Sequence, residues 1–350
     1  MFLVIAQHAG ICATFSSITG VSRLYSDMAI LNFHMPFFFL LSGYMMYAHR
    51  SWEKASLGTY LAKRVYRLLV PYFFFEAVAI GLALLLYPEA AVLPYLKAVF
   101  LCRNTPETSY ISSRFWFLPC LFFANIAAVG LLRHVRRPYT IAALIVGLLL
   151  CGNFSPQISH VLLGQFRLPL TLDISMVAAA FMLTGFLCGS AISRLHQQQP
   201  IRHLCLIGGG ALIIYALSCA LNSHAVLMFM HSYGNLAAAY ISGISGSLLC
   251  LMLVKIYCGI PCSLGKRAFI WLGQNSLASF PLHLIILFLL RKSGVLHAFS
   301  VSISTTLTPV FALCLTCLIL YPCIVLLKRC LPLATGDWAP RRRTLFKNST

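Results

Sequence analysis

Apolar residues along this chain run in long blocks rather than alternating, and the blocks approach the twenty or so residues a helix needs to cross a bilayer of about 30 Å. Ten such windows stand out, near residues 1–20, 28–49, 66–87, 114–133, 139–154, 173–191, 203–221, 235–257, 268–290 and 303–327. The pattern predicts an all-α membrane protein, a polytopic bundle of about ten transmembrane helices, because backbone groups in lipid must pair within the chain. A barrel would show alternation over about ten residues instead. The fifth window is short for a span, and the first has its cleanest apolar run only from Met1 to Ala13. Pro36, Pro71, Pro119 and Pro281 fall inside windows and predict several proline-kinked helices.

Composition agrees with this layout. Of 350 residues, 60% are hydrophobic and 9% charged, and the mean hydropathy is +0.86. That much apolar surface would aggregate in water, so the lipid bilayer is the expected solvent. A net charge of +19 first suggests nucleic acid, but its distribution points to topology. The connections after helices 2, 4, 6, 8 and 10 hold 19 of the 26 Lys and Arg residues, and the others hold 7. Basic residues gather on the cytoplasmic side, so both termini are expected there and no nucleic-acid partner is expected. The longest connections, roughly 88–113 and 155–172, are too short for a packed domain. The expected organisation is one transmembrane domain over 1–327 and a basic cytoplasmic tail over 328–350, read as a frayed end that brings Arg341, Arg342, Arg343 and Lys347 near anionic headgroups.

The fourteen cysteines lie mostly singly in apolar runs, where Cys behaves as a small hydrophobe. Cys314 and Cys317 form the one C-x-x-C, without a second pair or a histidine partner, so no metal site is expected.

Polar groups at membrane depth cost more, roughly 2.5 to 3.5 kcal/mol for a charged one near a helix centre, and they are few. They are His8 in helix 1, His34 in helix 2, Glu76 in helix 3, and Asn275, Ser279 and His283 in helix 9, with Asp173 at the edge of helix 6. Each histidine suits either a neutral ring bonded to a neighbouring helix or a general base, since an imidazole with an ordinary pKa of about 6.5 can take and release a proton. Asn275, Ser279 and His283 fall at i, i+4 and i+8 and share one helix face. Interhelical hydrogen bonding is the more natural role for Ser279, and His283 is the best functional candidate of the three. The pairing of proline with polar or aromatic residues, at His34 and Pro36, Pro71 and Glu76, Trp116 and Pro119, and Pro281 and His283, favours one shared cavity lined in part by Glu76, Trp116 and Asn275. Arg64 and Arg67, at i and i+3, suit either the cytoplasmic charge bias or capture of a phosphate by two guanidinium forks.

Five stretches together resemble the acyltransferase-3 superfamily of integral-membrane O-acyltransferases, in particular its sugar O-acetylases of the fucose 4-O-acetylase type. They are "FLVIAQHAG" around His8, "NFHMPFFFLLSGY" from Asn32, "KRVYRLLVPY" from Lys63, "SRFWFLPCLFF" from Ser113 and "WLGQNSLASFPLHLIIL" from Trp271, in order, over about residues 2–290. The resemblance implies a ten-helix protein of the bacterial inner membrane that takes an acyl group, commonly acetyl from acetyl-CoA, and passes it to a carbohydrate hydroxyl of an exported or cell-surface polysaccharide. It implies His8 as the catalytic residue and Arg64 and Arg67 as the residues that engage the CoA phosphates. His34 and His283 match motif positions and join the catalytic candidates. Family members usually carry a further stretch ahead of the helix-1 histidine, where this chain has seven residues.

The expected chemistry is removal of a sugar hydroxyl's proton by His8 while Arg64 and Arg67 hold acetyl-CoA, with Asn275 or His283 donating to the oxyanion. A covalent acyl-histidine is the variant route. The chain has no G-x-S-x-G elbow to suggest a serine esterase. The rival class is a secondary transporter or flippase for a glycan or small molecule, in which the same midplane groups would bind substrate or protons.

Overall fold

The computed structural model describes residues 1–87, 92–102, 115–164, 168–197, 199–222, 224–260 and 263–337. Among them there is no β-strand, only an isolated bridge between Leu227 and Ser232. The chain opens with α1 (Phe2–Ala9) and α2 (Ile11–Thr19), followed by the long α3 (Arg23–His49) and the short α4 (Ser51–Lys54). Next, α5 (Leu57–Arg64), a π-helical turn (Val65–Leu69) and α6 (Val70–Leu86) make one continuous rod, followed by the short α7 (Val92–Leu101). α8 (Phe117–His134), α9 (Pro138–Leu163) and α10 (Leu172–Leu187) come next, then α11 (Gly189–His196), α12 (Ile201–Leu221) and α13 (Leu236–Gly259). The last group is α14 (Ser263–Gln274), α15 (Ser276–Lys292), α16 (Val295–Ser302) and α17 (Thr308–Cys330).

Among the described residues, eight helices are long and apolar enough to cross a membrane, and up to ten if each of two bent pairs counts as one span. The protein is thus an all-α, multi-pass membrane protein, and its spans fall on the ten apolar windows. Two windows expected as single helices are broken. α1 and α2 meet at 66°, and α14 and α15 at 95°. At the first break Gly10 takes a left-handed φ of 99° and closes α1, and its backbone N–H is bonded to Gln7. Glycine adopts this conformation without strain.

The proline expectation holds in part. Pro36 and Pro281 lie inside α3 and α15. Pro119 instead sits in the first turn of α8, where its missing N–H would have lacked a helical partner anyway. Pro71 begins α6 directly after the π-helical turn, whose wider hydrogen-bonding pattern absorbs the missing donor. The fifth span is longer than its apolar window, since α9 continues past residue 154 through Ser155, Pro156 and Ser159. Ser155 keeps this stretch helical by bonding back to the carbonyl of Gly152.

At the centre lies α10, buried on nearly all sides and packed on α3, α8 and α9. Its run Ala178–Ala180 gives the small surface that close helix approach in a membrane requires. Gly43 on α3 and Gly185 on α10 make the approach closest: a Cβ on Gly43 would run into the carbonyl of Met182, and one on Gly185 into that of Leu40. These obstacles are backbone and cannot rotate away. Gly43→Ala is therefore expected to destabilise the fold by about 3 kcal/mol or more, the upper end of overpacking costs. Thermal melting in detergent checks this, and an unchanged midpoint would show that α3 and α10 can slide apart.

The tail departs from expectation over its described part. Lys328, Arg329 and Cys330 complete α17, and Pro332–Thr335 form a 3-10 turn whose Ala334 and Thr335 are buried against the bundle. The frayed-end reading does not hold there, because Ala334 and Thr335 are buried and Gly336 lies close against Arg67 and Leu277. Arg341, Arg342, Arg343 and Lys347 lie outside the described residues, as do Ser113 and Arg114 of the fourth motif.

Candidate active site

α1 packs on α3, α15 and α17, with Phe2 resting edge-on against Phe269 of α14. This brings His8 to His283 of α15, with ring centroids 5.3 Å apart. His8 is the penultimate residue of α1, where helix carbonyls run out of partners. Arg291, at the far end of α15, fills that gap by donating from Nη2 to the carbonyl of His8 at 2.8 Å. Gly10 lies against Pro309 of α17. The break after His8 is thus clamped by α15 and α17, which fixes where the imidazole starts. Arg291 escaped the sequence reading because an arginine ending an apolar helix looks like any topological charge.

His283 is fully buried. Its Nδ1 lies 2.9 Å from the carbonyl oxygen of Ser279. A carbonyl can only accept, so in the neutral ring Nδ1 carries the proton and Nε2 carries the lone pair. Nε2 is buried and has no hydrogen-bond partner. His34 is held the same way, with Nδ1 3.1 Å from the carbonyl of Ile30 and 3.2 Å from that of Leu31. In both rings the helix's own carbonyls fix the tautomer that leaves Nε2 basic.

The stripe on α15 continues below His283. Ser279 is fully buried and its Oγ has no partner. Asn275 stands at the break between α14 and α15, donates from Nδ2 to the carbonyl of Trp271 at 2.7 Å, and leaves Oδ1 without a partner. On α17, Thr316 is fully buried with an unpartnered Oγ1. A buried polar atom left unmade costs about 1 to 3 kcal/mol, so four of them on two adjoining helices is a polar seam rather than packing. Of the two groups expected to donate to an oxyanion, neutral His283 presents only an acceptor at Nε2, while Asn275 has one of its two Nδ2 N–H bonds committed to the carbonyl of Trp271.

Arg64 and Arg67 sit where α5 passes into the π-helical turn. The Arg64 guanidinium lies over the Tyr60 ring at 4.9 Å, and the Tyr60 hydroxyl donates to Asn125 of α8 at 3.0 Å. Gly336, in the left-handed region with φ 76°, brings the docked tail against the carbonyl of Arg67 on one side and Leu277 of α15 on the other. Leu277 and His283 are six residues apart on one helix, a rise of about 9 Å. The arginine pair therefore lies below the histidine pair along the same wall of the bundle.

The other expected cavity residues lie elsewhere around this wall. Trp116 faces Phe229 with centroids 6.4 Å apart, and its neighbour Phe117 reaches Phe280 at 5.0 Å, which in turn touches the His283 ring at 6.0 Å. Glu76 is fully buried, with Tyr72 and Cys102 in its electrostatic surroundings, and Tyr72 donates to the carbonyl of Val99 on α7. Asp173 forms a buried pair with His231 at 3.7 Å. The loop carrying His231 is pinned from α3 by Asn32, whose Oδ1 accepts from the backbone of Val226 at 2.9 Å.

A clamped histidine pair, His283 fully buried with an open basic nitrogen and His8 partly buried beside it, set above two arginines in a multi-pass bundle, suits transfer of a group between an anionic carrier and an alcohol. A family model described as an acyltransferase domain, that of acyltransferase-3, matches residues 1–328. The chain belongs to the acyltransferase-3 family. No curated protein and no solved structure matches it. As an acyltransferase-3 member it is a membrane acyltransferase, and the match runs through α1 and into the end of α17, so the histidine pair, the arginine pair and the polar seam all lie within the family domain.

Proposed function

We propose that the protein transfers an acyl group, in the first instance acetyl, from acyl-CoA in the cytoplasm to a carbohydrate hydroxyl at the outer face of the bacterial inner membrane. The observation that carries this is the open Nε2 of His283 beside His8, buried in the bundle on the same wall as Arg64 and Arg67. The arginine pair holds the donor's phosphates, and the thioester reaches up the wall to the histidines. There the pair takes the proton of the sugar hydroxyl as its oxygen attacks the thioester carbon. The tetrahedral intermediate collapses, the carbon–sulfur bond breaks, and the proton passes to the departing thiolate. Lodging the reaction within the bundle keeps bulk water from competing with the sugar.

Protein in vesicles with labelled acetyl-CoA and an acceptor glycan tests the proposal: labelled ester and free CoA support it, whereas glycan movement without CoA release would favour transport. Glycan analysis of cells with and without the protein then names the sugar. Arg64→Ala and Arg67→Ala are each expected to raise KM for acetyl-CoA about ten-fold, the loss of one charge-assisted contact, with KM for the glycan unchanged. An unchanged donor KM in both would remove the pair from phosphate binding.

A further inference from the structure

Acyl transfer needs hydrogen-bond donors where the carbonyl oxygen becomes an alkoxide, and such donors are often the largest single contribution to catalysis. Of the two groups on α1, α15 and α17 that sequence pointed to for this task, neutral His283 presents an acceptor, and Asn275 has one of its two amide N–H bonds committed to the carbonyl of Trp271. The unpartnered buried donors there, among the described residues, are the hydroxyls of Ser279 and Thr316. We propose that these two hydroxyls form the oxyanion hole.

Three features support the assignment. Thr316 lies on the buried face of α17, with Ala312, Leu320 and Ile324 at helical spacing, and this helix packs on α15 and α1. Second, the depths agree. Trp271 packs on Tyr321 with ring centroids 5.0 Å apart. Ser279 is one turn beyond Asn275 at the α15 break, a rise of about 6 Å, and Thr316 is five residues before Tyr321 on antiparallel α17, about 7.5 Å in the same direction. Third, both hydroxyls forgo the bond that a helical Ser or Thr ordinarily makes to its own preceding turn, as Ser42, Thr184 and Ser247 do here. Each is left with a proton to donate, and Ser279 lies one turn below His283 on α15.

The step balances. The attacking hydroxyl oxygen bonds to the acyl carbon and its proton goes to the histidine pair. The carbonyl π electrons move onto oxygen, where the hydroxyls of Ser279 and Thr316 donate to it. On collapse the C=O bond re-forms, the carbon–sulfur bond breaks, and the thiolate takes the proton back.

The inference rests on the acyl-transfer site proposed above, and the test separates the two. Thr316→Val keeps the side chain's shape and removes the hydroxyl, and Thr316→Ser restores it. The expected result is a fall in kcat of about 10² for Thr316→Val and for Ser279→Ala, with KM for the acyl donor held, thermal stability equal or higher, and most activity regained in Thr316→Ser. A rise in donor KM with kcat intact would mean that the hydroxyls bind the resting thioester arm, and would overturn the assignment. Full activity in both variants, alongside inactive His8→Ala and His283→Ala, would overturn the oxyanion role and keep the site. Full activity in the histidine variants as well would remove both.

Discussion

Replacing His8 with alanine is expected to lower kcat for acyl transfer by about 10² to 10⁴, the usual contribution of a positioned general base, while leaving the protein folded. The separation of the two effects comes from how α1 is anchored. Two bonds fix the backbone at the end of this helix, the N–H of Gly10 to Gln7 and the guanidinium of Arg291 on the carbonyl of His8, and the buried Val4, Ile5, Ala6 and Ala9 pack its body. Neither bond involves the imidazole, and alanine keeps both. Transfer rates in vesicles, set beside the melting midpoint in detergent, check this. Undiminished acylation by the variant would take His8 out of the chemistry, and a large drop in melting temperature would give it a packing role instead.

The spans were legible in the sequence because a bilayer imposes one simple requirement, a long apolar run, which most of the ten windows meet outright; the fifth looked short and the first broke off early. The breaks were not. Gly10 looks unremarkable in its run and Asn275 stands out only as a polar group, not as a break; the first bend is held by Pro309 and Arg291 from other helices, and at the second Asn275 bonds back to the carbonyl of Trp271 one turn earlier. The same limit applies to the prolines. Whether Pro119 kinks a helix depends on where that helix starts, and α8 starts late enough to make it harmless.

For the site, chemical type was readable and direction was not. His8, His283, Asn275 and Ser279 stood out because ionisable or polar groups are costly in lipid. Sequence cannot say which atom of an asparagine or imidazole stays open. That depends on which carbonyl lies within reach: here the Ser279 carbonyl leaves His283 with an acceptor at Nε2, and the Trp271 carbonyl takes one of the two amide N–H bonds of Asn275. Thr316 gave no signal, since a threonine in a membrane helix normally bonds its own backbone and costs little. Asn32 was visible only as part of a motif. Its buried amide proves to anchor the loop that sets His231 against Asp173.

His283→Ala is expected to cost about as much in kcat as His8→Ala, and the double variant little more than either alone. The reason is cooperation on one proton. With rings 5.3 Å apart and Nδ1 of His283 committed to Ser279, a proton taken from the alcohol must be held between Nε2 of His283 and the His8 ring until the thiolate leaves. Groups that act as a unit give grossly non-additive losses, because removing either leaves the other without a function to lose. Independent roles would multiply instead: two losses of about 10³ would give about 10⁶. Single-turnover rates of the three variants, measured on one preparation of acyl donor and glycan, distinguish these outcomes. A multiplicative loss would split the pair into a base and a separate binding residue. Stability adds an independent reading. His283 buries a polar nitrogen without a partner, so its truncation forfeits packing but also removes that penalty, and the melting midpoint should fall less than for an apolar core residue of similar volume such as Leu320, which is also fully buried on the facing helix.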